Sequence, residues 1–170
     1  AQRFSLYPDL TVEENLRFFA GACRVPSAAL GDQITSLLRL TDLEQKRDAP
    51  AGSLSGGMRQ LLSLACALVH DPALLFLDEP TANLDPGASA EIERLIGTIH
   101  ACGTTIIMTT HNLGQAKRLG DVIYFLHQGR LVEQASVAEF FREPRSAEAR
   151  TSFAGSCHGS SALDSGAVHR

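Results

Sequence analysis

Leu74-Leu75-Phe76-Leu77-Asp78-Glu79-Pro80 is the stretch on which the reading of this chain turns. An apolar run too short for a helix ends in two adjacent carboxylates, and a proline stops it. The pattern predicts a strand buried on both faces of a parallel sheet, with Asp78 and Glu79 delivered to its carboxyl end. That edge is where open α/β sheets bind ligands. One carboxylate there can serve Mg²⁺ and the other a water. Taken alone, the run also fits a core strand entering an acidic turn, so its neighbours have to decide.

Downstream, strand and helix patterns alternate as in a parallel sheet. Asp85-Pro86 opens a helix, with Asp85 as cap and Pro86 at the first helical position, and Ile92, Leu95, Ile96 and Ile99 follow at helical spacing. Residues 104–109 form a β-branched strand that leads to His111. A short helix over 112–119, a strand over Val122–His127, a turn at Gln128-Gly129 and a strand over 130–133 come next. Ser136 and Glu139 have capping-box spacing for a helix that Pro144 closes. Beyond Ser146 the chain is rich in Ser, Gly and Ala, and 146–170 is expected to be an unstructured tail.

Upstream the period is helical throughout. Thr11 and Glu14 have capping-box spacing for a helix over 11–23, and Pro26 breaks it. Ser27 can cap a second helix ending near Leu40, on which Leu30, Ile34, Leu37 and Leu38 line one face. A loop over 48–53 leads into Leu54-Ser55-Gly56-Gly57-Met58, where Ser55 can cap a third helix. A helix amino terminus is an anion site, and the two glycines let backbone amides approach a ligand without Cβ interference.

At 170 residues the chain is long enough for one domain with a core. Hydrophobic residues make up 44% and charged residues 20%, which argues against wholesale disorder. A formal net charge of -4 gives no reason to expect nucleic acid or an anionic membrane as partner. No stretch matches a spanning helix or a signal peptide, so a soluble protein is expected. Cys23, Cys66, Cys102 and Cys157 lack the paired spacings of zinc or thiol-exchange sites, and His70, His100, His127, His158 and His169 show no ligand spacing. Free thiols in a reducing cytoplasm are the default.

Leu54–Met58 as LSGGM, then LLFLDEP, then Asn83-Leu84-Asp85-Pro86, then a strand-end His111 together resemble the nucleotide-binding domain of ATP-binding-cassette (ABC) transporters. The resemblance covers residues 2–144. It implies a partial P-loop NTPase-type α/β fold, with a helical subdomain over about 11–70, a mainly parallel sheet core over about 71–145, and the tail after it. It also implies ATP and Mg²⁺ as ligands. Asp78 would hold Mg²⁺ through water, and Glu79 would be the general base for the attacking water. His111 would donate to the γ-phosphate. Gln2 resembles the glutamine that senses Mg²⁺ and transmits closure to the helical region. Leu54, Ser55, Gly56, Gly57 and Met58 form the signature that contacts nucleotide held by an opposing subunit, and Asp85 lies in the loop that crosses that interface. Met58 departs from the commoner glutamine, a change the backbone contacts tolerate.

The implied partners are a second ABC cassette, with ATP sandwiched between the two, and a transmembrane permease. The implied place is the cytoplasmic face of the cell membrane. Residues 4–20 look like exporter cassettes, and residues 110–133 look like importer cassettes. No G-x-x-x-x-G-K-[ST] loop occurs in the 170 residues, which leads us to expect a chain truncated before or within the glutamine loop. In the family the strand leading to that loop lies inside the sheet, so apolar surface at 74–77 and 106–108 is expected to be uncovered. Two other readings stand beside the transporter. One is a non-catalytic or recombined fragment without its own nucleotide site. The other is a soluble ABC ATPase acting on DNA or ribosomes, for which no coiled-coil insertion or second cassette is seen.

Overall fold

The computed structural model describes residues 6–155 and 166–169. Its residues form two compact units, one of Ala1–Ala73 with Asn83–Leu95 and the other of Leu74–Ala82 with Ile96–Arg170.

The first unit is built on three helices, α1 (Val12–Ala22), α2 (Leu30–Leu40) and α3 (Gly56–Leu68), which pack on one another. Thr11 starts α1 as expected: its hydroxyl accepts from the Glu14 amide at 3.1 Å while the Glu14 carboxylate accepts from the Thr11 amide at 2.8 Å. Val12, Leu16, Ile34, Leu38, Leu62 and Ala65 are fully buried where these helices meet. Each larger aliphatic side chain among them stabilises the unit by roughly 1.5–3 kcal/mol relative to exposure. Asn15 is also fully buried. Its Oδ1 accepts from the Tyr7 amide at 2.8 Å, and its Nδ2 donates to the carbonyls of Tyr7, Leu10 and Thr11. One polar side chain thereby ties the incoming loop to α1 and leaves no buried donor idle.

The second unit holds a five-stranded sheet. Its strands are β1 (Leu74–Asp78), β2 (Thr105–Thr110), β3 (Val122–His127), β4 (Arg130–Ser136) and β5 (Gly166–His169), in the order β1-β2-β5-β3-β4. β1 and β2 are parallel, with Asp78 beside Thr109. β5 runs antiparallel to both β2 and β3, so β1, β2 and β3 share one direction. The β3–β4 turn uses positive φ at Gln128 (49°) and Gly129 (73°), the twist that a two-residue hairpin requires. Helix α4 (Pro86–Ala101) contributes its residues up to Leu95 to the first unit and the rest to the second, and Ile92, Leu95, Ile96 and Ile99 along it are buried. Helices α5 (Leu113–Leu119) and α6 (Val137–Arg142) pack on the sheet, with the Phe125 and Phe140 rings 5.8 Å apart.

Three expectations need correction. β1 is not buried on both faces: Leu75 and Leu77 are buried, but Leu74 is 44% and Phe76 69% exposed. It is an edge strand whose outer face nothing covers among the described residues, so its apolar run reads as two-sided while only one side is packed. Of the surface expected to be uncovered, Leu75, Leu77, Ile106 and Met108 are in fact buried. Within 146–170, expected to be an unstructured tail, the described residues carry helix α7 (Ala147–Gly155) and strand β5. Long-range contacts overrule its composition. Glu133, buried on β4, accepts from the amides of Arg145 and Ser146 and from the Ser146 hydroxyl, and that hydroxyl accepts from the Ala149 amide at 3.2 Å.

Candidate functional site

In the second unit, Asp78, Glu79 and His111 meet at the carboxyl edge of β1 and β2. Parallel pairing places Asp78 beside Thr109, and the Thr109 hydroxyl donates to Asp78 Oδ1 at 2.5 Å. The Glu79 amide continues the ladder to the Thr109 carbonyl at 3.1 Å. Glu79 itself adopts φ 46°, the left-handed region that a side-chain-bearing residue occupies at a cost. This bend turns the chain sharply off the strand, and the Ala82 amide closes it on the Glu79 carbonyl at 3.0 Å. His111 Nδ1 donates to Glu79 Oε1 at 2.8 Å. The Glu79 side chain is 27% and the His111 side chain 60% exposed, so the pair faces solvent and its second ring nitrogen is available to a ligand.

The start of α5 fixes the position of His111. Asn112 caps that helix by accepting from the Gln115 amide at 3.0 Å, while buried Thr110 accepts from the Asn112 amide at 3.1 Å. Gln115 Nε2 donates to Thr81 Oγ1 at 2.8 Å, fastening α5 to the turn after Glu79. Adjacent carboxylates with a restrained geometry suit a hard cation, which commonly takes one or two carboxylates and otherwise water and phosphate. The donor set therefore fits Mg²⁺. Among the described residues no cluster of three His, Cys, Asp or Glu forms a metal cage.

In the first unit, Ser55 caps α3 by accepting from the Met58 amide at 3.2 Å, as its sequence implied. Leu54 is buried, and its carbonyl accepts from Arg59 Nη1 at 2.6 Å. The glycines divide in role. A Cβ on Gly57 would lie 2.7 Å from the Ala88 Cβ, so Gly57 serves the close packing of α3 on α4. A Cβ on Gly56 would meet only the Leu84 methyl at 3.7 Å, an ordinary contact, which leaves that residue as the open face of the helix start. Asp85 accepts from the Ala88 amide at 3.0 Å and so caps α4, and Asn83 before it has φ 61°. Gln2 lies outside the described residues.

The structure thus brings Asp78, Glu79 and His111 together in one unit, and Leu54 to Met58 together with Asp85 in the other. Thr109 and the Thr81–Gln115 pair join the site only in three dimensions. The threonine doublet ending β2 was the available sequence signal for Thr109, whereas the pairing of Thr81 with Gln115 spans 34 positions and leaves no local mark.

Residues 1–82 match the profile of the ABC transporter family. Nod factor export ATP-binding protein I of Ralstonia nicotianae is 42% identical over 135 residues, covering 79% of this chain and 42% of that protein. The methionine import ATP-binding protein MetN of Haemophilus influenzae is 39% identical over 145 residues, covering 85% of this chain and 42% of that protein. The chain thus spans less than half the length of these curated relatives. Among solved structures, cbiO1 of Clostridium perfringens, part of an ABC transporter complex, superimposes with a TM-score of 0.73 at 31% identity, covering 82% of this chain and 55% of that one. An ATP-binding cassette bound to ADP and Pi in a post-hydrolysis state, MJ0796, does so with a TM-score of 0.67 at 26% identity, covering 81% and 61%. The fold and these likenesses define a partial ABC cassette. The chain belongs to the ABC transporter ATP-binding family.

Proposed function

We propose that this chain supplies the hydrolytic edge and the signature helix of an ATP-binding subunit that drives a membrane transporter. The observation that carries the reading is the Glu79 carboxylate, turned out of β1 by a left-handed backbone and held by His111 beside the Thr109-bound Asp78. Phosphoryl transfer to water needs an oriented nucleophile and compensated charge more than covalent chemistry. Glu79 would accept a proton from water, and His111 would fix the carboxylate through Nδ1–H and, with both ring nitrogens protonated, donate from Nε2 to a phosphate oxygen. Asp78, with one oxygen engaged by Thr109, would hold Mg²⁺, which would supply charge neutralisation on the phosphates. Ser55, Gly56, Gly57 and Met58 present the amino terminus of the 13-residue α3 to an anion, in this reading the nucleotide of a second cassette. Asp85 would lie at the same cassette interface, and Gln2 would report the occupancy of the metal site.

The further partner is a transmembrane permease, with the subunit peripheral on the cytoplasmic face. No helix among the described residues is long and apolar enough to cross a membrane, and in this reading the permease supplies the spanning segments. An aromatic patch supports a protein-docking role. Tyr7 and Phe18 are 43% and 45% exposed, with ring centroids 4.5 Å apart. The exporter and importer relatives are about equally similar, so the proposal is confined to ATP-driven transport in either direction.

The test is Glu79→Gln in a cassette completed with a strand and a phosphate-binding loop. The amide keeps the shape but cannot accept a proton, so turnover should fall by about 10²-fold or more while ATP binding persists. The variant should accumulate as an ATP-bound dimer. Hydrolysis near the parent rate would remove Glu79 as the base.

A further inference from the structure

The contact between Glu79 and His111 is closed from behind by a second connection that uses neither of their side chains. Gln115, 1% exposed, lies on the first turn of α5, and its backbone amide donates to Asn112 Oδ1 at 3.0 Å. Asn112 follows His111 directly. The Nε2 of the same glutamine donates to Thr81 Oγ1 at 2.8 Å, and Thr81 stands two residues after Glu79 with buried Pro80 between them. One buried residue therefore bridges the turn that carries the carboxylate and the helix start that carries the imidazole. Proline fixes its own φ, so the path from Thr81 back to Glu79 is short and stiff. The bond of 2.8 Å between His111 and Glu79 completes a ring through Glu79, Thr81, Gln115, Asn112 and His111.

We propose that Gln115 is a positioning residue: acting through Thr81, it holds the turn after Glu79 against α5 and keeps the Glu79 carboxylate in register with His111. The backbone of Glu79 shows why such a hold is needed. A φ of 46° is costly for a residue with a Cβ and persists only where the surroundings over-determine it. The Thr109 carbonyl holds the Glu79 amide at 3.1 Å, and the Ala82 amide closes the turn on the Glu79 carbonyl at 3.0 Å. Ala82 is exposed, so that closing bond competes with water, whereas the bond from Gln115 to Thr81 is anchored on a buried side chain. Releasing it lets the turn relax and carries the carboxylate off the imidazole. Small misplacements of a reacting group cost rate more than affinity. This inference rests on the proposed nucleotide site and adds the residue that fixes its geometry.

Two measurements test it. On the 170-residue chain, amide exchange resolved by NMR should be about fivefold faster or more at Glu79 and Ala82 in Thr81→Val and in Gln115→Met, and unchanged along β3. Should a single change fail to fold because it strands a polar group, the double variant T81V/Q115M decides, since it replaces both partners by apolar groups of similar shape. In a cassette completed with a strand and a phosphate-binding loop, the double variant should lower kcat about tenfold and leave KM for ATP within about twofold. Thr81→Ser, which keeps the hydroxyl, should recover most of that rate. In a Glu79→Gln background the double variant should change the residual rate by less than about twofold, because its effect runs through that carboxylate. Unchanged exchange at Glu79 and Ala82 would overturn the proposal. So would a parent-level kcat in the double variant of a cassette that Glu79→Gln disables, or an equal loss in both backgrounds. Faster exchange at the turn, with hydrolysis indifferent to Glu79→Gln, would uphold the hold of Gln115 on Glu79 and sink the nucleotide reading.

Discussion

Glu79 shows how much of the site is a matter of single residues. Its left-handed φ places the carboxylate where His111 meets it, and Thr109 anchors the neighbouring Asp78. Thr109→Val should keep the fold and lower turnover of a completed cassette about tenfold or more, because a hydrogen bond to a charged group contributes roughly 1.5–3 kcal/mol. Mg²⁺ dependence should shift to higher concentration, and unchanged steady-state kinetics would deny Thr109 a positioning role. Gly57→Ala forces a Cβ to 2.7 Å from that of Ala88, so it should destabilise the chain by about 1–3 kcal/mol in a denaturant melt. The same change at Gly56, where the nearest atom is at 3.7 Å, should be far milder. That Asp78, Glu79, Ser55 and His111 would stand at element ends was legible in the sequence, because each adjoins a clear change of pattern. The division of labour between the glycines was not, since Ala88 lies 31 positions away and only packing shows it. Thiol chemistry offers a separate check. Burial pushes Cys66 up to about 12, so a thiol reagent should leave it unlabelled in the folded chain while modifying the exposed Cys23 and Cys102.

Among the elements, the capping boxes at Thr11 and Ser136 set helix starts that the sequence states outright. α7 and β5 are different. A helix begun by Ser146 and held by Glu133 depends on a contact across 13 residues, and a four-residue Gly-Ala-Val-His strand is too short to carry a period. Glu133 makes the α7 contact testable through pH. Burial raises its pKa, but the Arg145 and Ser146 amides, the Ser146 hydroxyl and the Arg145 charge outweigh that, and the net shift is downward. A carboxylate depressed in the folded state contributes stability above its unfolded value near 4.5 and loses it as pH falls through the folded value. Glu133→Gln should therefore lower Tm at pH 7 and flatten the acid limb of the stability profile. An unchanged profile below pH 5 would mean that Glu133 does not hold α7.

At the scale of the whole molecule, the exposed face of β1 and the two described units bear on behaviour in solution. Leu74 and Phe76 present an apolar edge, and such edges recruit other chains. Replacing both by Lys should reduce any self-association seen in sedimentation velocity without lowering the melting midpoint, and undiminished self-association would place the contact elsewhere. The fold class was legible from the change of period between Leu68 and Leu74, from helical to strand. The assignment of Asn83–Leu95 to the helical unit was not, because it depends on tertiary contacts.

The central claim is that Asp78, Glu79 and His111 form the hydrolytic edge of a nucleotide site that a phosphate-binding loop completes. Two carboxylates repel a polyanionic nucleotide unless a cation and phosphate-cradling amides offset the repulsion. Equilibrium titration with a fluorescent ATP analogue, run on the 170-residue chain and on a chain extended by a strand and a G-x-x-x-x-G-K-[ST] loop, tests this most directly. The account predicts Mg²⁺-dependent binding in the range of about 1–100 μM by the extended chain, and none at those concentrations by the shorter one. Equally tight, Mg²⁺-dependent binding by the 170-residue chain alone would contradict it, because the nucleotide would then be held by groups other than those named.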